Sequence, residues 1–244
     1  MIDFKSELNP QQIDVVLHAD GHCLVLAGAG SGKTRTITYR VAHLLEQGVS
    51  SDNILLLTFT NKASGEMIER IKKLTGMTYK MLYAGTFHSI ANKILRHHAQ
   101  ALGYAGNFTI LDEDDSKSIL KLGINEYKPD SSKKFLSVNI LKSVISYARN
   151  AETTIEDVLD LKYPQFLEFA ENIKNIAQSY AKKKNDSNAM DFDDLLVNLL
   201  LSLNQPPVLE KYANQFKYIL VDEYQDTNKI QASIIKRLSS KHNN

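Results

Sequence analysis

The segment Ala27-Gly28-Ala29-Gly30-Ser31-Gly32-Lys33-Thr34 constrains this chain more than any other. Its glycines let backbone N–H groups turn inward around an anion. Lys33 follows to reach β and γ phosphates, Thr34 offers a hydroxyl to Mg²⁺, and a helix N-terminus stands behind the loop. A strict phosphate loop reads G-x-x-x-x-G-K-[ST], and Ala27 stands where the first Gly belongs, so the strict pattern fails by one residue while the chemistry survives. A glycine-rich turn without function is the alternative. The flanks argue against it: Cys23 to Leu26 is a short apolar run that reads as a buried parallel strand, and a helix is expected from about Lys33, with Ile37, Val41, Leu44 and Leu45 on one face and Gly48 as its stop.

The same alternation continues. Ile54 to Phe59 reads as a strand, Asn61 to Leu74 as a helix with Ala63, Met67, Ile68 and Ile71 at helical spacing before Gly76, and Met81 to Gly85 as a third strand before a helix near Ser89. This β-α-β-α-β order predicts a parallel sheet covered by helices. From Ile90 to about Ala189 no period-2 run stands out, and helical patterns are separated by Gly103, Gly123, Pro129 and Pro164, so this block is expected to be all helical. Tyr218 to Val221 is again a purely apolar strand. The sheet therefore resumes after the block, which reads as an insertion: residues 1–89 and 190–244 as two parts of one domain, 90–189 as a helical subdomain within it. The basic run Lys182 to Lys184 reads as a solvated helix face.

A second chemical signal lies far downstream. The strand Tyr218-Ile219-Leu220-Val221 delivers Asp222 and Glu223 at its carboxyl end, the edge of an open parallel sheet where ligands bind. Asp222 there can hold the Mg²⁺ that bridges phosphates, and Glu223 can orient an attacking water. Taken alone the pair would be an acidic cap on the next helix; together with the loop, the two acids complete a Mg²⁺–nucleotide site.

LNPQQ from Leu8, AGAGSGKTR ending at Arg35, TFTNKA from Thr58 to Ala63, GTFHS from Gly85 to Ser89, DFDDLL from Asp191 to Leu196 and VDEYQDTN from Val221 to Asn228 together resemble the superfamily 1 DNA helicases of the UvrD/Rep/PcrA type, in that family's order. Ala at the place of Ala27 is usual there. The resemblance implies an α/β fold, a RecA-like P-loop NTPase parallel sheet with an inserted all-helical subdomain, that couples ATP hydrolysis to 3′ to 5′ movement along single-stranded DNA. It implies ATP and Mg²⁺ as cofactors, with Ala27, Gly28, Ala29, Gly30, Ser31, Gly32, Lys33 and Thr34 around the phosphates, Thr34 and Asp222 on the metal, Glu223 on the water, and Gln225 relaying toward DNA. Gln12 would recognise adenine, or else is a helix-start glutamine. Arg35 touches the nucleotide or is a surface arginine of the first helical turn.

By the same resemblance Thr58, Phe59, Asn61 and Lys62, then Thr86, Phe87, His88 and Ser89, line a DNA track. Hydroxyls, amides and helix N-termini hold phosphates, and an aromatic ring stacks on bases for about 1 to 3 kcal/mol each. Phe59 and Phe192 are the stacking candidates, with a buried core position as the alternative for each. Asp191, Asp193 and Asp194 read as an N-cap and two first-turn acids in preference to a metal site, and Asp112 to Asp115 likewise.

A net charge of +1 provides no global field for nucleic acid or an anionic membrane, so nucleic-acid affinity must be local. The most apolar stretches are about half the length that spans a bilayer. One cysteine, Cys23, cannot make an intramolecular disulfide, and MIDFKSELNP lacks the marks of a signal peptide, so a cytoplasmic, non-membrane protein is expected. The family pattern continues with a further sheet strand, a sensor motif and a second RecA-like domain that supplies arginines to the nucleotide. None follows KRLSSKHNN, so the chain is expected to be a truncated motor half that binds nucleotide and barely turns over. A self-contained nucleotide-dependent DNA-binding or regulatory module, or the motor part of a RecB/AddA-type helicase-nuclease, are the alternatives.

Overall fold

The computed structural model describes residues 2–28, 30–78, 83–129, 134–242 and 244. Met1–Ile90, Leu203–Thr227 and Ile234–Asn244 form one compact unit, and Ala91–Ser202 with Asn228–Ser233 a second.

The chain opens with α1 (Phe4–Glu7), capped by Asp3, and α2 (Pro10–His18), which begins at a reciprocal capping box between Asn9 and Gln12 with Pro10 in the first turn. Helix α3 (Lys33–Glu46) follows the glycine loop and turns Val41, Leu44 and Leu45 into the core. Strand β1 (Ile54–Thr58), helix α4 (Asn61–Thr75), strand β2 (Ala84–Thr86) and helix α5 (Phe87–His98) come next. Gly76 ends α4 in the left-handed region (φ 64°), where glycine carries no Cβ penalty. The middle of the chain contains β3 (Thr109–Ile110), α6 (Glu113–Tyr127), α7 (Val138–Asn150), α8 (Ile155–Lys162), α9 (Ala170–Asp186), β4 (Ala189–Met190) and α10 (Phe192–Ser202). Helix α11 (Pro206–Gln215), strand β5 (Tyr218–Val221) and helix α12 (Lys229–Leu238) complete it.

In the first unit the strands run parallel in the order β2-β1-β5, with Leu57 opposite both Gly85 and Val221. Every residue of β1 is buried, and Ile54 and Leu56 pack with Val41, Leu44 and Leu45 of α3 and Met67 and Ile71 of α4. This is the buried, unalternating apolar strand that a parallel sheet requires.

One expectation about the sheet needs correction. Cys23 to Leu26 is not a strand: it is irregular, with Leu24 68% and Leu26 86% exposed. An apolar run becomes a strand only where a neighbour completes its hydrogen-bond ladder, and the sheet's described strands end at β5. The expected third strand is Ala84–Thr86 in its described part; Met81 and Leu82 lie outside the described residues.

The second unit is mainly helical. Leu120 of α6, Leu141 and Val144 of α7, Val158 and Leu159 of α8, and Ile173 and Ile176 of α9 form its core. A Cβ at Gly123 would meet Ile176 Cγ2 at 3.0 Å, so glycine sets how closely α6 approaches α9. The expectation of helix alone is corrected by β3 and β4, which pair parallel over two residues each. Two residues are too few to leave a period in the sequence.

A buried ionic tetrad joins α7, α9 and α10. Lys184 Nζ lies 2.5 Å from both Asp191 Oδ2 and Asp194 Oδ2, and Arg149 Nη2 lies 2.5 Å from Asp194 Oδ1. The solvated face expected for Lys182 to Lys184 is therefore wrong at Lys184, which is 1% exposed. Burial alone would raise the Asp191 carboxyl, but Lys184 and Arg149 outweigh it and hold the pKa down to about 2, while Tyr180 donates its hydroxyl to Oδ2 at 2.7 Å. Two acids balance two bases, so the cluster is tolerable only when complete.

Replacing Lys184 by Met leaves two buried carboxylates facing one arginine and is expected to cost about 3 to 5 kcal/mol in urea unfolding. A folded pKa depressed from 3.8 stabilises the fold above that value; this contribution is lost as pH falls toward about 2, which acid unfolding followed by circular dichroism measures.

Candidate functional site

The glycine loop gains its shape from left-handed glycines. Gly30 (φ 74°) and Gly32 (φ 87°) occupy conformations that L side chains rarely adopt, and a Cβ on Gly32 would lie 2.8 Å from Gln12 Nε2. Ser31 closes the turn on Gly28, its N–H and hydroxyl donating to Gly28 O at 3.3 and 2.7 Å. Lys33 bends back over the loop and donates to Ala27 O and Gly28 O at 3.2 and 3.4 Å. Gly32 is the N-cap of α3, so that helix's first N–H groups and positive dipole end face the loop. Ala29 lies outside the described residues.

Gln12 connects the loop to α2. Its Oε1 accepts from Asn9 N as half of the capping box, and its Nε2 donates to Ser31 O at 3.0 Å. It is thus a helix-start glutamine and a loop contact at once. Arg35 points away toward α1, where Nη2 lies 2.5 Å from Glu7 Oε2 while the Tyr39 hydroxyl donates to the same oxygen at 3.2 Å. Glu7 gave no signal in the sequence, because α1 is a single turn with no motif.

Strand β5 brings the second half of the site to the first. Asp222 N donates to Leu57 O at 2.9 Å, extending the ladder by one residue, and Thr34 Oγ1 donates to Asp222 Oδ2 at 3.2 Å. Two residues 188 positions apart are in direct contact. Asp222 is 5% exposed, and burial pushes its carboxyl above the ordinary carboxylate value against the opposing pull of the Thr34 hydroxyl. Glu223 sits in the left-handed region (φ 52°, ψ 46°), a conformation that costs a non-glycine residue about 1 kcal/mol or more. Gln225 Nε2 donates to the Glu223 carboxylate and secures it.

The register places Thr58 opposite Thr86, so the segments that follow β1 and β2 leave the sheet at one level. Thr58 is buried and donates its hydroxyl to Thr60 O at 3.0 Å; Phe59 is 41% exposed, and Asn61 and Lys62 are exposed in the first turn of α4. Thr86 Oγ1 accepts from Ser89 N at 3.2 Å, and His88 is half-buried on α5. Phe192 belongs to the second unit, where it is 56% exposed. Neither Phe59 nor Phe192 fills a core, which removes that alternative for both. Tyr224, within VDEYQDTN, is a further exposed ring that the sequence reading passed over.

The acids around Phe192 are accounted for without a metal. Asp194 N donates to Asp191 Oδ1 at 2.8 Å and Asp191 N to Asp194 Oδ2 at 2.9 Å, the two halves of a cap, and the tetrad neutralises both. Among the described residues no group of three or more His, Cys, Asp or Glu side chains is placed to hold a metal ion, and no helix is long and apolar enough to cross a membrane.

A parallel sheet with a glycine loop and a carboxylate at its carboxyl edge, carried with a helical unit, matches a known class. The chain belongs to the UvrD/REP helicase N-terminal domain family, whose profile covers residues 8–244. It is 39% identical over 241 residues, 98% of its length, to the ATP-dependent DNA helicase PcrA of Staphylococcus aureus strain Mu50, and 40% identical over 240 residues, 97% of its length, to that of Staphylococcus epidermidis strain RP62A. In each case it covers 32% of the relative, so the chain spans about a third of the length of the curated relatives it matches.

The charge on buried Asp222 opposes folding at neutral pH, since a raised folded pKa means that stability falls as pH rises through it. Asp222→Asn is therefore expected to melt at a higher temperature than the parent chain at pH 7 without nucleotide. The gap should close as pH is lowered into the carboxylate range, measured by thermal denaturation across pH.

Proposed function

We propose that this chain is the amino-terminal, RecA-like motor half of an ATP-dependent DNA helicase, with residues 90–189 as a helical insertion, and that it binds ATP with Mg²⁺ and single-stranded DNA. The contact of Thr34 with Asp222 carries the reading, because it joins the two halves of a Mg²⁺–nucleotide site across the whole sequence. The donor set is a hydroxyl and a carboxylate, hard oxygens of the kind Mg²⁺ takes, and a buried carboxylate that resists ionisation alone is suited to a cation beside it. Bound there, Mg²⁺ would neutralise charge on the β and γ phosphates. Lys33 lies within the loop to reach the same phosphates, Gln12 is within a loop contact of the adenine side, and Glu223, clamped by Gln225, is the base that orients and deprotonates water.

On this reading DNA crosses the exposed segments after β1 and β2, with Phe59 stacking on bases and Asn61, Lys62, Thr86 and His88 near phosphates; Phe192, exposed on the second unit, is a separate stacking candidate. Thr58 shapes that loop from below rather than touching DNA, since its side chain is buried. The remaining two thirds of the relatives' length would supply the partner domain for the nucleotide and a strand for the outer edge of β5. Movement in the 3′ to 5′ direction, a role in repair or replication, a cytoplasmic location and weak turnover by this chain alone belong to the same proposal. An arginine supplied from a partner domain is worth about 10³ to 10⁵ in rate in related nucleotidases.

Saturating Mg²⁺ and a non-hydrolysable ATP analogue are expected to stabilise the chain by about 2.7 kcal/mol at about 100 times Kd. Lys33→Ala should lose this shift; an unmoved parent melting curve, or an equal shift in the variant, would sink the nucleotide assignment. In fluorescence anisotropy with a labelled single strand, Phe59→Ala is expected to weaken binding by about 1 to 3 kcal/mol, whereas exposed Lys182→Ala should not. Unchanged affinity in a folded Phe59→Ala chain would move the track elsewhere.

A further inference from the structure

The turn that follows β5 is braced by several hydrogen bonds of its own. Glu223 N donates to Asp222 Oδ1 at 3.2 Å, Asp226 N to Glu223 O at 2.9 Å and Thr227 N to Tyr224 O at 3.1 Å. Asn228 then caps α12 reciprocally with Gln231: Gln231 N donates to Asn228 Oδ1 at 2.9 Å and Asn228 N to Gln231 Oε1 at 3.1 Å. Asn228 follows Thr227 directly in the chain, and this covalent step is the link through which a displacement of the turn would reach it.

Asn228 does not end the chain of bonds. Its Nδ2 donates to Asn150 Oδ1 at 3.1 Å, and Asn150 Nδ2 donates to Asp193 Oδ1 at 2.7 Å. Asn228, Asn150 and Asp193 all belong to the second unit. A further bond, from Ser233 Oγ to Glu152 Oε2 at 3.2 Å, holds the middle of α12 to the residues that follow α7. Asp193 follows Phe192 directly. Asp191 and Asp194, which bracket them, are fixed in the buried tetrad. Asp193 is the acid of DFDD that the tetrad's direct ion pairs do not hold, and its carboxylate accepts from Asn150.

We propose that Asn150 is a positioning residue that couples the turn at residues 223–228 to the presentation of Phe192, by accepting from Asn228 and donating to Asp193. The amide suits this task because it accepts and donates at once, so the bonds have a fixed polarity: Asn228 donor, Asn150 acceptor and donor, Asp193 acceptor. The Asn228–Asn150 bond is part-buried and both residues line an open polar cleft of about 590 Å³, so it can be broken and remade without uncovering the core. The bond from Asn150 to the Asp193 carboxylate is charge-assisted and the stronger of the two links. Coupling rests on the proposed nucleotide site, since that site is where the displacement would begin. By linkage, a turn biased by nucleotide at one end and by DNA at Phe192 at the other changes each affinity by the same factor.

Hydrogen exchange read by mass spectrometry, with and without Mg²⁺ and a non-hydrolysable ATP analogue, tests this on the full chain. The parent is expected to show slowed exchange in residues 27–35 and 222–228, and with it altered exchange in residues 191–196. Asn150→Ala should keep the first two responses and lose the third. Asn150→Asp combined with Asp193→Asn restores an acceptor for Asn228 and reverses the second bond, and should recover the response at 191–196. A response at 191–196 that survives in Asn150→Ala, or is absent from the parent while 27–35 responds, overturns the coupling and leaves the nucleotide site standing. Loss in Asn150→Ala without recovery in the double variant overturns it in favour of a merely structural asparagine. No response at 27–35 in the parent overturns the nucleotide site and the coupling with it.

Discussion

The parallel pairing of β1 with β5 is the interaction on which the candidate site depends. Ile54 to Leu57 align with Tyr218 to Val221, and the next ladder bond, Asp222 N to Leu57 O, fixes the height at which Asp222 leaves the sheet. A slip of one residue would turn Asp222 to the opposite face. Because β1 is buried throughout and packed on α3 and α4, that slip would also expose Leu or Ile side chains worth about 1.5 to 3 kcal/mol each. The apolar core thus holds in register a polar contact that by itself contributes little.

The same sheet explains why the site is strained as well as placed. Asp222 is buried with its charge opposed by burial, and Glu223 is held in a left-handed conformation. Both features cost stability in the folded chain, and both make sense at an edge where a cation and phosphates are bound. The strong packing of β1 offsets those costs locally.

The helical unit follows a different logic. Its acids and bases sit inside it: Lys184, Arg149, Asp191 and Asp194 form a neutral cluster that pins the first turn of α10 while leaving Phe192 outward. A buried cluster of this kind adds little net stability over apolar packing, but it admits few alternative arrangements. Specific orientation of one exposed ring is what such a cluster is suited to provide.

The local pieces were legible in the sequence. The glycine loop, the helix from Lys33 to Glu46, the strands at Ile54 and Tyr218, and the acid caps at Asp112 and Asp191 follow from turn chemistry, apolar runs and capping preferences, all of which act within a few residues. What only the tertiary structure decided was who meets whom. Cys23 to Leu26 has the composition of a strand, yet a strand exists only when a second backbone completes its ladder, and no property of the run reveals whether one is there. Lys184 looked like one of three solvated lysines because charge in a sequence carries no sign of burial; its partners, Asp191 and Asp194, come from the start of α10 and the residue before it. Asn150 showed nothing at all, since an amide acquires a role only from the donor and acceptor that the fold brings to either side of it. Short-range preferences are written residue by residue, whereas long-range contacts are set by the packing of whole elements.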